Sequence, residues 1–498
     1  MKAVLSTNAK EFTNDICEVI RLFTGPDSIV SGTVANPPDE PTGTVILHEY
    51  AYVHHAFENI VHIRITDAKG TVIRSVRHRS VEPYGAEGGA LAFKRFCKRA
   101  MKNAVYVCMQ KAFPMRLPWG SLTGIRPTRL VYEMYARGLD SEGAASALER
   151  EFFLEHAKAR LLIETVENQK DVLAAQTSRD IDVYIGIPFC VSRCVYCSFP
   201  AYALGQHSSA VPAYLSALHL EMESAGKCSI DGWKPRSLYI GGGTPTSLTA
   251  NELASVIEHA LRVFGGFIEI TVEAGRPDTL DEEKLQMLRG LGVHRISINP
   301  QTMNARTLEA IGRRHSPEDM VRAYEAARAV GFECINTDLI LGLPGEGVRD
   351  AVYTLEKILG MRPENVTVHT LALKRASVLM EKNGSYALPP ATAVSEMVDL
   401  SRQIASDCGY VPYYLYRQKY MTGNFENVGY CQKGKPCVYN IDIMEETTSN
   451  LALGAGAISK RIYHAETRIE RLPNPKSLEH YIERIAEHIA KKEAFFRV

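Results

Sequence analysis

The sequence predicts an α/β protein: a partial (β/α)6 barrel with an N-terminal α+β domain and a C-terminal extension. Three observations lead there. Six short β-rich runs stand at "DVYIGIPF" (182–189), "SLYIGGGT" (237–244), "IEITVEA" (268–274), "RISINPQ" (295–301), "CINTDLILGLP" (334–344) and "NVTVHTLAL" (365–373). Helical stretches such as "ANELASVIEHALRVF" and "PEDMVRAYEAARAV" separate them. Strand, helix, strand in succession means right-handed crossovers and a parallel sheet. Finally, Cys190, Cys194 and Cys197 follow the first run directly, on the side where barrels of this kind carry their chemistry.

The flanks have other rhythms. At 498 residues the chain exceeds one ordinary core. "ANPPDEPTG" (Ala35 to Gly43) reads as a connector. "NIVHIRITDAKGTVIRSVRHRS" then alternates apolar and polar residues on both sides of Asp67-Ala68-Lys69-Gly70, an antiparallel hairpin. From Gly88 to about Lys170 the period is helical, with a cap at Asp140 or Ser141 before "EGAASALEREFFLEHAKARLLIETVENQKDVL". Residues 1–175 are therefore expected to form the α+β domain, 176–375 the barrel, and 376–498 an extension closing it. The strand-like "YVPYYLYRQKYM" lies within that extension.

Composition narrows the function classes. Apolar residues make up 45% and charged residues 23%, with Lys+Arg and Asp+Glu at 57 each. No global field points to nucleic acid or an acidic membrane. The basic stretch "FKRFCKRAMKNAVYVCMQKAF" spreads its cations among apolar residues as an amphipathic surface helix does, so nucleic acid is not an expected partner. No window approaches eighteen uninterrupted apolar residues, and the first twenty lack the pattern of a secretory leader. Eleven scattered cysteines do not form a disulfide framework, so a reducing cytoplasm is the expected location.

The cysteine triplet leaves three readings open. A closed structural zinc site needs four ligands, usually from two CxxC-type pairs, and Cys431 and Cys437 are separated by five residues. An iron–sulfur cluster held by three thiolates would keep one iron free for an exchangeable ligand. A coincidental set of loop thiols is the third. The local pattern favours the cluster.

CxxxCxxC after a first strand, with Tyr196 between the second and third cysteines, resembles the radical S-adenosylmethionine superfamily. "YIGIPFC", "YIGGGTPTSL", "TVEAGRPD", "ISINPQTMNARTLEAIGRRH", "NTDLILGLPGE" and "LALGAGAIS" resemble successive motifs of the oxygen-independent coproporphyrinogen III oxidase group. "RLPWGSLTGIRPTRLVYEM" and "GYCQKGKPCVYNIDIMEE" are similar to its HemZ branch. The resemblance implies a [4Fe-4S] cluster on Cys190, Cys194 and Cys197, one or two S-adenosylmethionine molecules per chain, and a flavodoxin or ferredoxin as electron donor.

It also implies a set of cofactor contacts: Tyr184, Tyr196, Gly242, Gly243, Thr244, Glu273, Gln301, Arg313, Asp338 and Ala372. Tyr196, Gly243, Gln301, Arg313 and Asp338 match positions spread over two cofactor sites in some relatives. The residues carry part of this alone. Three glycines in "GGGTPT" let backbone approach a ligand, and N–H groups there suit a carboxylate. The sequence is not GxGxxG opening a helix, so no dinucleotide site is read. Glu273 and Asp338 are acids inside apolar strand runs, costly unless bonded; an ion pair of Glu273 with Arg276 is the plain structural alternative.

Two departures bear on the substrate. Oxidases of the HemN type continue CxxxCxxCxC; here Phe199 stands at the last position, as in the haem chaperone HemW. That chaperone's "HNxxYW" haem motif is also missing: "FENVGYCQ" puts Glu426 at its histidine and Cys431 at its tryptophan. The implied reaction is oxidative decarboxylation of coproporphyrinogen III to protoporphyrinogen IX, with haem delivery or another radical reaction on a tetrapyrrole as alternatives. A tetracarboxylate substrate calls for cations at the mouth, for which Lys374, Arg375, Arg417, Lys419, Lys433 and Lys435 are candidates.

Overall fold

The computed structural model describes residues 3–25, 29–32, 43–85, 89–199, 201–229, 232–374, 376–382, 385–418, 424–466 and 468–497. The connector at 35–43 falls almost wholly outside these, as do Arg375 and Lys419. The chain divides into two compact units, 1–127 with 133–163, and 128–132 with 164–498.

In the first unit a five-stranded sheet carries two long helices on one face. Its strands Ala3–Thr7, Ile29–Gly32 and Gly43–Val53 pair in parallel, and Gly43–Val53, Ala56–Thr66 and Val72–Pro83 in antiparallel. The expected hairpin is the last of these pairs, turning at Asp67, whose carboxylate accepts from the Lys69 and Thr71 N–H groups. Alternation decides the faces: Phe57, Val61, Ile63 and Ile65 meet the apolar side of helices Thr13–Thr24 and Gly89–Ala112. Helix Ser141–Phe152 begins on Asp140, whose side chain accepts from Gly143 N–H.

The second unit is an open α/β sheet of eleven strands. Its six central strands run in chain order and in parallel: Asp180–Ile187, Lys234–Gly242, Glu269–Glu273, Arg295–Ser297, Cys334–Leu341 and Asn365–Thr370. Each coincides with one of the six expected runs. In the first, Ile181, Val183, Ile185 and Ile187 form one buried row, while Asp182, Tyr184 and Gly186 alternate onto the other face. The helices lay amphipathic faces on the aliphatic rows. Ala250–Val263 buries Leu253, Val256, Ile257 and Ala260 after a reciprocal Thr249–Glu252 cap, and Pro317–Val330 is capped in the same way by Ser316 and Asp319.

The extension lengthens both edges of this sheet. Beyond the sixth strand come antiparallel Glu426–Cys431 and Val411–Arg417; beside the first lies parallel Ser449–Leu453. It also fills the floor, the end where the strands begin. Helix Val438–Glu445 places Asp442 2.8 Å from Arg236, and the Tyr439 ring stacks 4.4 Å from Tyr239. Glu269 accepts from the Cys437 thiol and pairs with Arg295 at 3.2 Å. Among the described residues, no helix is long and apolar enough to cross a membrane.

Candidate active site

The cysteine loop leaves the end of the first strand and is drawn against the ends of the others. Gly243 N–H donates to Ile187 O at 2.8 Å and Thr244 N–H to Phe189 O at 2.7 Å. Val195 N–H reaches Ile311 O, and the Arg276 guanidinium donates to Ser192 Oγ at 2.7 Å. Two glycines permit this closeness. Gly242 has φ +113°, and a Cβ on Gly243 would lie 2.5 Å from Phe189 O and 3.0 Å from Cys190 Sγ.

These bonds revise one expectation. The N–H groups of Gly243 and Thr244 are already engaged by the first strand, so they do not wait for a carboxylate. The turn also carries the Thr244 hydroxyl, 3.4 Å from Cys190 Sγ, an oxygen that can accept from a cationic group.

All three cysteines are partly accessible. Burial pushes the Cys190 thiol up to about 11, with the other two cysteines adding to the rise and Thr244 and Arg276 opposing it. Burial likewise raises Cys197, against Arg193 and Lys374. Thiols so disposed become thiolates only in the company of positive charge. Among the described residues, no three His, Cys, Asp or Glu side chains converge on one ion. A four-iron cluster does not ask for that, because each thiolate meets a different iron.

The inner face of the strands forms a lumen in which the expected acids meet. Glu273 accepts from the Tyr239 hydroxyl at 2.6 Å. Arg276, its alternative partner, pairs instead with Asp278 at 2.9 Å. Burial pushes the Glu273 carboxyl up to about 7, with Asp338 reinforcing the rise and the Tyr239 and Gly242 hydrogen bonds opposing it. Gly241 makes the Tyr239 bond feasible, since a Cβ there would stand 3.0 Å from both the Glu273 carboxyl carbon and the Tyr239 ring. Asp338 accepts from Asn336 at 2.8 Å and lies 3.9 Å from His369 Nε2. Burial would raise Asp338, but His369 and the Asn336 and Thr367 hydrogen bonds outweigh it and hold the carboxyl below its ordinary range.

Gln301 is the most telling residue of the cup. It sits at φ +70°, uncommon outside glycine. Its backbone is locked there by bonds to Asp338 O and from Ile340 N–H. Among the described residues its buried Oε1 has no hydrogen-bond partner. Arg313 is also buried; it donates to Asn299 O at 2.7 Å and Gly275 O at 2.5 Å, and its Nε has no partner among the described residues. A strained backbone and buried polar atoms without partners call for an explanation, and a ligand in the cup would supply one. The donor set, the glycine cradle and these orphaned atoms fit the cluster and cofactor the sequence motifs imply.

The remaining expected contacts distribute as follows. Tyr184 faces the lumen, its ring 6.3 Å from both Tyr239 and Tyr439. Tyr196 packs beside Leu308, Ile311, Ile340 and Leu343. Ala372 lies just past the sixth strand. The proposed substrate cations fare differently. Lys433 and Lys435 are exposed in the turn after Glu426–Cys431, where Lys435 O accepts from Asn365 at the start of the sixth strand, so they stand at the floor rather than the mouth. Arg417 is buried and donates to Asn424 O at 2.7 Å. Lys374, half-buried, is left near the loop.

Three lumen residues escaped the sequence reading: Tyr239, His369 and Tyr416, whose hydroxyl is 3.2 Å from His369 Nδ1. The available signal was period two, since Tyr239 precedes Gly241 by two and His369 follows Thr367 by two.

The family description Radical SAM superfamily matches residues 184–358. The oxygen-independent coproporphyrinogen-III oxidase-like protein HemZ of Bacillus subtilis (strain 168) is 39% identical over 441 residues, which span 86% of this chain and 87% of that protein. The chain belongs to the HemZ-type family of the radical SAM superfamily. That family implies a [4Fe-4S] cluster and S-adenosylmethionine. The heme chaperone HemW of Bacillus subtilis (strain 168) is 33% identical over 311 residues, 61% of this chain and 76% of that one. Among solved structures, coproporphyrinogen III oxidase (HemN) from Escherichia coli superposes with TM-score 0.51 at 22% identity, over 65% of this chain and 73% of that one. It shares the fold.

Proposed function

We propose that this radical SAM protein oxidatively decarboxylates two propionates of coproporphyrinogen III to vinyl groups, giving protoporphyrinogen IX without oxygen. The observation that carries the reading is the lumen: Glu273 bonded to a tyrosine and to no cation, Asp338, a strained Gln301 and a buried Arg313 lie near the cysteine loop in a chain of the HemZ-type family. The cluster with S-adenosylmethionine would supply hydrogen-atom abstraction, here from the carbon β to each carboxylate; each step would then end with loss of CO2 and transfer of one electron to an external one-electron acceptor. Cys190, Cys194 and Cys197 would hold three irons. The carbonyls of Gly242 and Gly243, the Thr244 hydroxyl and Glu273 would take the cofactor's ammonium side. Gln301, Arg313 and Asp338 would bond its polar remainder, with Tyr184, Tyr196 and Ala372 as walls. The reading holds for one or two cofactor molecules per chain.

Haem delivery is the weaker reading. Glu426 and Cys431, at the positions of the chaperone's haem motif, are 3% and 2% exposed within a paired strand. Burial also drives the Cys431 thiol up to about 12. Neither is placed to meet haem iron.

The test is anaerobic turnover of cluster-reconstituted protein with coproporphyrinogen III and a reductant. Protoporphyrinogen and 5′-deoxyadenosine should form together. Deoxyadenosine without protoporphyrinogen removes the substrate assignment, and a saturable Soret shift on haem titration would favour the chaperone.

A further inference from the structure

We propose that His369 is a positioning residue of the cofactor cup, steered by Tyr416 of the extension to hold Asp338 as the carboxylate that meets a bound ligand. The proposal rests on the reading of Asp338 as a cofactor contact. Asp338 and His369 are both partly exposed to the lumen.

The two Asp338 oxygens have separate surroundings. Oδ1 accepts from Asn336 at 2.8 Å, and Oδ2 lies 3.9 Å from His369 Nε2. At that distance the contact is electrostatic rather than a hydrogen bond. A chain of donors decides which ring nitrogen carries the proton. The Gln418 amide donates to the Tyr416 hydroxyl oxygen at 3.5 Å, and the hydroxyl is 3.2 Å from His369 Nδ1. Tyr416 therefore turns its own hydrogen to Nδ1, and the histidine presents Nε2–H to Asp338.

The extension is built to make this reach. Strand Glu426–Cys431 lies between the sixth strand and Val411–Arg417, with Gly429 opposite Tyr414 and Asn427 opposite Tyr416. A Cβ on Gly429 would collide with the Tyr414 ring, so glycine there lets that ring lie across the strand. Tyr414 crosses to Thr367 Oγ1 at 3.1 Å, and Tyr416, stacked 6.3 Å from it with 7° between the ring planes, crosses to His369. Asp338 needs the partner so delivered. The other titratable groups within reach of its charge are Glu273, Tyr239, Tyr414 and Tyr416, each neutral or negative. They and burial favour a neutral acid, and His369, with the Asn336 and Thr367 bonds, reverses that preference.

The experiment measures S-adenosylmethionine affinity of the cluster-reconstituted full chain by equilibrium dialysis at pH 6 and pH 8. His369→Phe should weaken binding about tenfold at pH 6 and about threefold at pH 8, because Asp338 then takes up a proton more readily at the lower pH. His369→Gln, which keeps an N–H for Asp338, and Tyr416→Phe should fall between that variant and wild type. In an Asp338→Asn background, His369→Phe should change affinity by less than about twofold. Iron content and thermal unfolding should match wild type throughout. An equal loss in the Asp338→Asn background overturns the proposal, because His369 would then act without Asp338. A loss of the same size at both pH values overturns it as well, since that marks a structural role, and so does unchanged affinity. If Asp338→Asn alone binds as tightly as wild type, the cofactor reading of Asp338 fails and the proposal with it. The dialysis contains no tetrapyrrole, so failure to decarboxylate coproporphyrinogen III would remove the substrate assignment and leave these outcomes in place.

Discussion

Arg236 and Arg295, at the floor of the barrel, each hold carboxylates: Asp442 at 2.8 Å and Asp180 at 3.3 Å for the first, Glu269 at 3.2 Å for the second. Arg313, at the cysteine end, is buried as deeply yet bonds only to the carbonyls of Asn299 and Gly275. Glu273 at that end meets a tyrosine, and Gln301 Oε1 has no hydrogen-bond partner among the described residues. The two ends use the same residue types differently. At the floor these two arginines are neutralised within the chain, and through Asp442 the first helps fasten the extension to the barrel. Buried polarity at the other end is left open, and its cost makes sense if a ligand completes it.

Substitutions at the two ends should separate these roles. The largest effect belongs to the cysteine end. Cys194→Ala should abolish activity and strip essentially all iron, read by an anaerobic iron and sulfide count against about four irons in the wild type, while thermal unfolding of the iron-free chain barely moves. Zinc in the wild type would overturn the cluster.

At the floor the balance reverses. Arg295→Leu leaves Glu269 buried without its cation and should cost about 3–5 kcal/mol of stability, measured by denaturant unfolding. Replacing both partners with apolar residues should recover much of that loss. If Arg295→Leu instead removed cofactor affinity at unchanged stability, the contrast between the ends would fail.

The third effect is a pH dependence. The Glu273 carboxyl is raised from about 4.5 to about 7, so its neutral form favours the empty fold. The stability it contributes is full below the unfolded value and is lost as pH rises through 7. A cofactor ammonium needs the ionised form. Binding of S-adenosylmethionine, followed by equilibrium dialysis, should therefore tighten about tenfold from pH 6 to pH 8, and Glu273→Gln should flatten that profile. Tyr239→Phe, by removing the bond that opposes the rise, should move the midpoint upward.

The smallest effect tests strain. Gln301→Gly removes the φ +70° penalty and should stabilise the empty chain by about 1 kcal/mol while weakening cofactor binding. A destabilised variant would show that the glutamine's own contacts outweigh the strain.

Much of this site could be read before the fold was known, for local reasons. Cys190, Cys194 and Cys197 lie within eight residues, and the six parallel strands announce themselves through alternation and apolar runs separated by capped helices. Glu273 and Asp338 stood out as acids within apolar strands. Where the reading fell short, the missing information was a pairing. Lys433 and Lys435 looked available until the turn holding them fell at the floor, and Arg276 turned from Glu273 to Asp278.

The amino-acid pattern by itself determined the kind of chemistry and the order of the strands, because thiol spacing, period two and period 3.6 are properties of neighbouring residues. Only the tertiary structure decided which groups became partners. Tyr239 reaches Glu273 across thirty-four positions, Tyr416 reaches His369 across forty-seven, and Arg236 reaches Asp442 across two hundred and six. Each depends on the register of strands or on the seating of Val438–Glu445 at the floor. Periodicity assigns a side chain to a face, and register decides what it meets there.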